Sequence, residues 1–223
     1  MDKLKEYQEG KILLIDKPLN WTSFNVVDKV RRQLKCKVGH GGTLDPLATG
    51  LLVLATGKKT KMLNQVQGQS KTYEGVISLG KSTPSYDLET DFDSYCPTGH
   101  ITDIMIKKAA IAFTGNIMQA PPIYSALKVN GQRAYKKARK NEKFKLDKRA
   151  VEIFSFEIEE INMPDIKFKV ECSKGTYIRS LANDLGKYLK TASHLSQLRR
   201  LSVGDYKIEN SESIDSFIAS LNK

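Results

Sequence analysis

The sequence predicts an α+β fold: a mixed, mainly antiparallel sheet flanked by helices and loops. Three observations lead there. Strand-like and helix-like segments follow one another without the strict alternation that winds a parallel sheet. Two neighbouring late segments, Ala150 to Ile161 and Ile166 to Cys172, read as paired strands, the second alternating Ile166, Phe168 and Val170 against lysines in the one-sided manner of antiparallel sheets. Finally, 223 residues, 40% hydrophobic and 27% charged, suffice for one core plus an insertion. A single domain over residues 1–223 is expected.

The elements follow in order. Ile12 to Ile15 is a short buried strand, closed by Lys17-Pro18 because proline lacks the ladder donor. Thr22 or Ser23 caps a helix in which Val27, Val30 and Leu34 recur at helical spacing while Arg31, Arg32 and Lys35 face elsewhere. Val38 to Gly50 is rich in glycine and precedes a strand at Leu51 to Ala55. Thr72 to Leu79 alternates as a strand, and Ser82 to Gly99 is a polar, acidic surface loop with no evident chemistry. Asp103 to Phe113 has helical periodicity and ends at Thr114-Gly115. Pro121-Pro122 then blocks both helix and central strand, opening an insertion that runs to about Arg149. After the strand pair, a helix from Thr176 carries Ile178, Leu181, Leu185 and Leu189 on its core stripe with Arg179 beside it, and Ile214 to Leu221 forms a closing helix.

Composition narrows the function. Lys and Arg outnumber Asp and Glu by 36 to 25, and the net charge of +11 favours a polyanionic partner. The charge is concentrated: Lys128 to Arg149 holds ten basic residues and two acidic ones, a net +8. Cys36, Cys96 and Cys172 are far apart and do not cluster with His40, His100 or His194, so the spacing offers neither a zinc site nor a disulfide framework. The first eleven residues alternate acid and base, unlike a signal peptide, and no apolar run nears the roughly 20 residues of a membrane span. A cytoplasmic protein without metal or membrane association is expected.

One segment concentrates unusual backbone chemistry around an acid. In Gly39-His40-Gly41-Gly42-Thr43-Leu44-Asp45-Pro46-Leu47-Ala48-Thr49-Gly50, the glycines permit close approach of another backbone or a ligand, and Pro46 fixes the chain just after Asp45. No Gly-Lys-Ser/Thr follows, as a phosphate loop would need, and there is no G-x-S-x-G nucleophile elbow. Taken alone, Asp45 also fits an Asx turn in which the carboxylate merely bonds nearby N–H groups.

The whole segment resembles the signature of the tRNA pseudouridine synthase B family, which makes pseudouridine 55 in the T-loop. Lys17-Pro18 with Trp21-Thr22-Ser23 is similar to the family's K-P-x-G-x-T-S element, with Asn20 where glycine is usual; Asn tolerates left-handed backbone. Lys71-Thr72-Tyr73, Pro121-Pro122 to Lys128, Gly175-Thr176-Tyr177-Ile178-Arg179 and Leu198-Arg199-Arg200 resemble four further elements. The likeness runs from about Lys11 to about Tyr206. Many bacterial members continue into a PUA-type RNA-binding domain; some twenty residues follow the last element here, too few for one.

The resemblance implies a pseudouridine synthase catalytic fold and a reaction that breaks the uridine C1′–N1 bond and rejoins the ring through C5, with no cofactor. It assigns Asp45 as the catalytic carboxylate, either nucleophile or base, Tyr73 as a ring that stacks on the target base, and Arg179 as the arginine paired with the catalytic acid. Read without it, Tyr73 is equally a core strand aromatic and Arg179 a surface arginine. His40 would occupy the space left by the flipped uridine, Leu198 would line the pocket, and Lys17 would support it. The basic insertion, with Lys128 and Arg133, would grip RNA phosphates. The expected partner is the T-arm of tRNA, with no obligatory protein partner and a monomeric state. Two alternatives stand: a guide-RNA-dependent synthase subunit, and a non-catalytic RNA-binding or RNA-folding protein.

Overall fold

The computed structural model describes residues 3–129, 131–140, 142 and 144–221. Along the chain it forms α1 (Lys3–Gly10), β1 (Ile12–Lys17), α2 (Ser23–Leu34), β2 (Val38–His40), β3 (Ala48–Thr56), a 3-10 helix (Gly57–Met62), α3 (Leu63–Gly68) and β4 (Lys71–Leu79). There follow β5 (Lys81–Ser82), β6 (Ser94–Tyr95), α4 (Asp103–Ala112), β7 (Gly115–Gln119), β8 (Lys128–Val129), β9 (Gln132–Arg133), α5 (Ala134–Ala138), β10 (Arg149–Asn162) and β11 (Asp165–Cys172). The chain closes with α6 (Ile178–Tyr188), β12 (Ser193–Val203), β13 (Tyr206–Lys207), a 3-10 turn (Ile208–Asn210), β14 (Glu212–Ser213) and α7 (Ile214–Leu221). Strand pairs of both senses and an irregular succession of helices make this the expected α+β fold. The chain divides into two compact units, Met1–Glu74 with Leu198–Lys223, and Gly75–Gln197.

In the first unit the strand order is β14-β1-β3-β12, with β2 on β3 and β13 on the end of β12. β1 lies antiparallel to β3 from Ile12↔Ala55 to Lys17↔Gly50. On the other edge of β3, β12 runs parallel, Leu198↔Ala48 to Arg200↔Gly50, and β2 takes the far end antiparallel. Leu52 and Leu54 of β3 pack with Val26, Val27, Val30 and Leu34 of α2 and Ile214 and Phe217 of α7, while Leu51 and Val53 pack with Val66 and Val203. Both faces of β3 are covered, so it reads as an unbroken apolar run. Helix α2 starts where expected: Thr22 Oγ1 accepts the Asn25 N–H at 3.0 Å and Asn25 Oδ1 accepts the Thr22 N–H at 2.9 Å. That reciprocal pair satisfies two N–H groups at the start of the helix.

In the second unit β10 is flanked antiparallel by β7 and β11. Ile166, Phe168 and Val170 are fully buried, as their alternation predicts, and Phe168 meets Phe156 edge to face at 5.7 Å. Helix α6 buries Ile178, Leu181 and Leu185, with Leu189 just beyond it. It begins two residues later than expected, since Tyr177 is extended (φ −102°, ψ 110°). Within residues 121–149 lie the β8–β9 hairpin and the short α5; Asn130, Asn141 and Lys143 of that stretch fall outside the described residues. No helix among the described residues is long and apolar enough to cross a membrane.

The candidate active site

Asp45 sits half-buried on the segment between β2 and β3. The backbone on either side of it is fastened from several directions. Ser23, at the first turn of α2, donates from Oγ to the Leu44 carbonyl at 3.1 Å and accepts the Leu44 N–H at 2.8 Å. The Pro46 carbonyl accepts the Asn20 N–H at 2.9 Å, and the Asp45 carbonyl accepts the Ala48 N–H at 3.1 Å. Asn20 has φ +64°, so the residue standing where the family has glycine adopts the left-handed backbone expected of it. Upstream, the Gly41 N–H donates to Val53 O at 2.8 Å, and a Cβ on Gly41 would lie 2.4 Å from Val66 Cγ1. The glycine there is a requirement of space.

Lys17 ends β1 beneath this segment with no accessible surface. Its Nζ donates to the carbonyls of Pro18 (2.9 Å), Trp21 (2.6 Å) and Pro46 (3.4 Å). Burial pushes its pKa down to about 8, opposed by attraction to Asp45. His40, at the end of β2, accepts the Gly42 N–H on Nδ1 at 3.3 Å, which leaves Nε2 as the protonated nitrogen of the neutral ring. Burial and then the charge of Arg200 lower its pKa, keeping it neutral at pH 7. Leu198 is half-buried and paired with Ala48, three residues after Asp45; Tyr73 of β4 is buried. Thus Lys17, His40, Asp45, Tyr73 and Leu198 all belong to the first unit.

The second unit holds the other predicted site residues. Arg179, in the first turn of α6, is buried; its Nη1 donates to the Ser85 carbonyl at 3.2 Å, and its Nε lies 3.5 Å from Asp87 Oδ2. Asp87 is itself buried, accepts the Glu89 N–H at 3.0 Å, and has its backbone carbonyl bonded by Thr83 Oγ1 (2.6 Å) and Ser85 Oγ (3.1 Å). The loop from Ser82 to Gly99, read as holding no evident chemistry, therefore contributes a buried carboxylate to Arg179. Lys128 and Arg133 are exposed and face each other across the β8–β9 hairpin, and Arg133 also donates to the Ala126 carbonyl. Arg139, following α5, pairs at 2.8 Å with Glu89, two residues beyond Asp87.

Sequence reading gave no site role to Ser23, Asp87 or Arg200, although Ser23 and Arg200 stand within matching elements. Ser23 offered a signal, lying one residue from the cap position; Asp87 offered none, being one of several acids in a polar loop. Arg200, wholly buried, donates from Nε to Leu51 O and from Nη2 to Gly42 O.

A family model described as TruB family pseudouridylate synthase (N terminal domain) matches residues 29–178. The chain is 50% identical over 225 residues to tRNA pseudouridine synthase B of Flavobacterium johnsoniae, covering 97% of this chain and 98% of the relative. It is 47% identical to the protein of the same name from Phocaeicola vulgatus, covering 95% and 93%. Among solved structures, a chain in a Cbf5-Nop10-Gar1 complex superposes with a TM-score of 0.75 at 29% identity, over 97% of this chain and 56% of that longer one. Sheet, acid-bearing segment and relatives together define a pseudouridine synthase. The chain belongs to the TruB family of pseudouridylate synthases.

Proposed function

We propose that this enzyme isomerises the T-loop uridine at position 55 of tRNA to pseudouridine, with Asp45 as the catalytic carboxylate. The observation that carries the reading is the backbone around Asp45, tied by Lys17, Ser23 and Asn20 so that one half-buried carboxylate is presented from a fixed frame. Such preorganisation serves chemistry at a sugar carbon, where the acid must be ionised and aligned as nucleophile or base before the C1′–N1 bond breaks. The same uracil ring then rejoins through C5, so the reaction is an isomerisation that draws on no cofactor.

The target uridine is flipped from its stack to reach Asp45, at a cost on the order of a few kcal/mol. Tyr73 stacks on the flipped base, Leu198 lines the pocket and the neutral His40 fills the vacancy. Asp87 holds the Arg179 guanidinium in the first turn of α6. Residues 121–149 act as an RNA-gripping insertion of one catalytic domain, with Lys128 and Arg133 on phosphates, and the enzyme works as a cytoplasmic monomer without a guide RNA or protein subunit.

The test is incubation of the purified chain with an unmodified tRNA transcript, followed by chemical mapping of pseudouridine. Product at the T-loop uridine is expected from the chain alone, and Asp45→Asn should lower its rate by at least about 10²–10⁴-fold while tRNA binding persists. Product only when a guide RNA is added, or equal activity in Asp45→Asn, would defeat the reading.

A further inference from the structure

Arg200 heads the largest fully buried side chains, at 1% exposure, and it lies on the strand next to the acid-bearing segment. Its two hydrogen bonds are not to neighbours in sequence. Nε donates to Leu51 O at 2.8 Å and Nη2 to Gly42 O at 3.1 Å. Gly42 and Leu51 are the two ends of the ten-residue stretch that carries Asp45. One guanidinium thus spans the stretch at its base.

The backbone of the same residue closes the contact. Arg200 pairs with Gly50, and a Cβ on Gly50 would lie 2.4 Å from the Arg200 carbonyl oxygen and 2.7 Å from its nitrogen. Gly50 has φ +100°, so a side chain is barred by conformation as well as by space. Gly42, at the other end, has φ +139° and presents its carbonyl to Nη2. Two glycines thus meet this arginine, Gly42 through a bond to the guanidinium and Gly50 through close backbone pairing.

The chemistry of the side chain explains why arginine stands here. A guanidinium holds its donors in a rigid planar fork and reaches two acceptors in different directions at once, whereas an ammonium donates from a single point on a flexible stem. It also stays charged when buried, and its charge acts on Lys17 and His40 beside the same stretch.

We propose that Arg200 is a positioning residue for pseudouridine formation, its guanidinium tying Gly42 to Leu51 and so fixing where the Asp45 carboxylate is presented, without itself touching RNA. The inference rests on the reading of Asp45 as the catalytic carboxylate. Misplacement of a reacting group by about 1 Å costs on the order of a hundredfold in rate.

The experiment compares the full chain with Arg200→Lys and Arg200→Gln, measuring single-turnover pseudouridine formation on an unmodified tRNA transcript and, separately, tRNA affinity. Arg200→Gln is expected to lose about a hundredfold in rate. Arg200→Lys, which keeps the charge and one bond, should lose less, and tRNA affinity should stay within about twofold for both. A rate within about twofold of wild type in Arg200→Gln overturns the proposal, as does affinity falling in step with rate. If neither folds, Arg200→Met, similar in volume, is the third variant; failure of all three to fold would make Arg200 a framework residue and also overturn it. A wild-type chain that makes no pseudouridine, or an Asp45→Asn chain that still does, would instead strike the reading of the site.

Discussion

Asp87, in its pair with Arg179, shows how a single residue can be invisible in sequence and decisive in structure. Each is almost wholly buried, and their side chains are 3.5 Å apart at closest approach. Removing one member of a buried pair leaves the other charge uncompensated, which typically costs about 3–5 kcal/mol. Asp87→Asn is therefore expected to lower the unfolding free energy by about that amount, read by urea denaturation at pH 7; an unchanged midpoint would refute the coupling. Asp45 was legible because glycines and a proline frame it within a long matching motif. Asp87 was not, because a polar, turn-rich stretch gives no sign of which of its acids turns inward. Lys17 carries a pH prediction. Its folded pKa of about 8 lies below the ordinary value of 10.5, so between those values the unfolded chain binds more protons at this site than the folded one. Stability contributed through Lys17 thus rises with pH across roughly 8 to 10.5 and is flat below. Melting temperatures of wild type and Lys17→Met, compared from pH 7 to 10, should diverge in favour of wild type as pH rises.

At the scale of the element, α2 links cap, core and site. Thr22 caps it, its apolar stripe fills the core beneath β3, and Ser23 at its first turn grips Leu44, next to Asp45. Thr22→Ala is expected to cost about 1 kcal/mol, visible as a lower melting temperature, with Thr22→Ser close to neutral. Helices α2 and α6 and strand β11 were legible because each buries a single face with a clean period. Strand β3 was found from its apolar run but begins three residues earlier than that run, since Ala48, Thr49 and Gly50 pair as strand through their backbone while carrying little strand preference. Strand β12 was not foreseen at all. Ser193, His194, Arg200 and Ser202 are buried along it beside Leu195 and Val203, so most of its buried positions are polar and the usual alternation is absent. Of these, Arg200 bonds the segment that carries Asp45.

The whole molecule carries +11, and its densest cluster is the segment of the β8–β9 hairpin and α5. If that surface meets phosphates, tRNA affinity should fall steeply with salt, by roughly 0.9 in log–log slope for each duplex phosphate neutralised. Replacing Lys128 and Arg133 with glutamate should flatten the slope as well as weaken binding; an unchanged slope would place the RNA elsewhere. The overall class was legible from the mixture of periods and the clustered charge, whereas the division into units was not, because it depends on pairings between distant stretches. Those pairings have a consequence in time. Arg200 bonds Leu51 from 149 positions away, and β1 completes its edge only with β14. At about 5–20 residues per second, a ribosome needs roughly 7–30 s between making the one stretch and the other. Throughout that interval β3 waits with an open edge and the acid-bearing segment lacks its frame. Catalytic competence must therefore arrive abruptly, after nearly all of the chain has been made. A stop codon just before β12 would yield a product that contains Asp45 and yet lacks the guanidinium that ties Gly42 to Leu51.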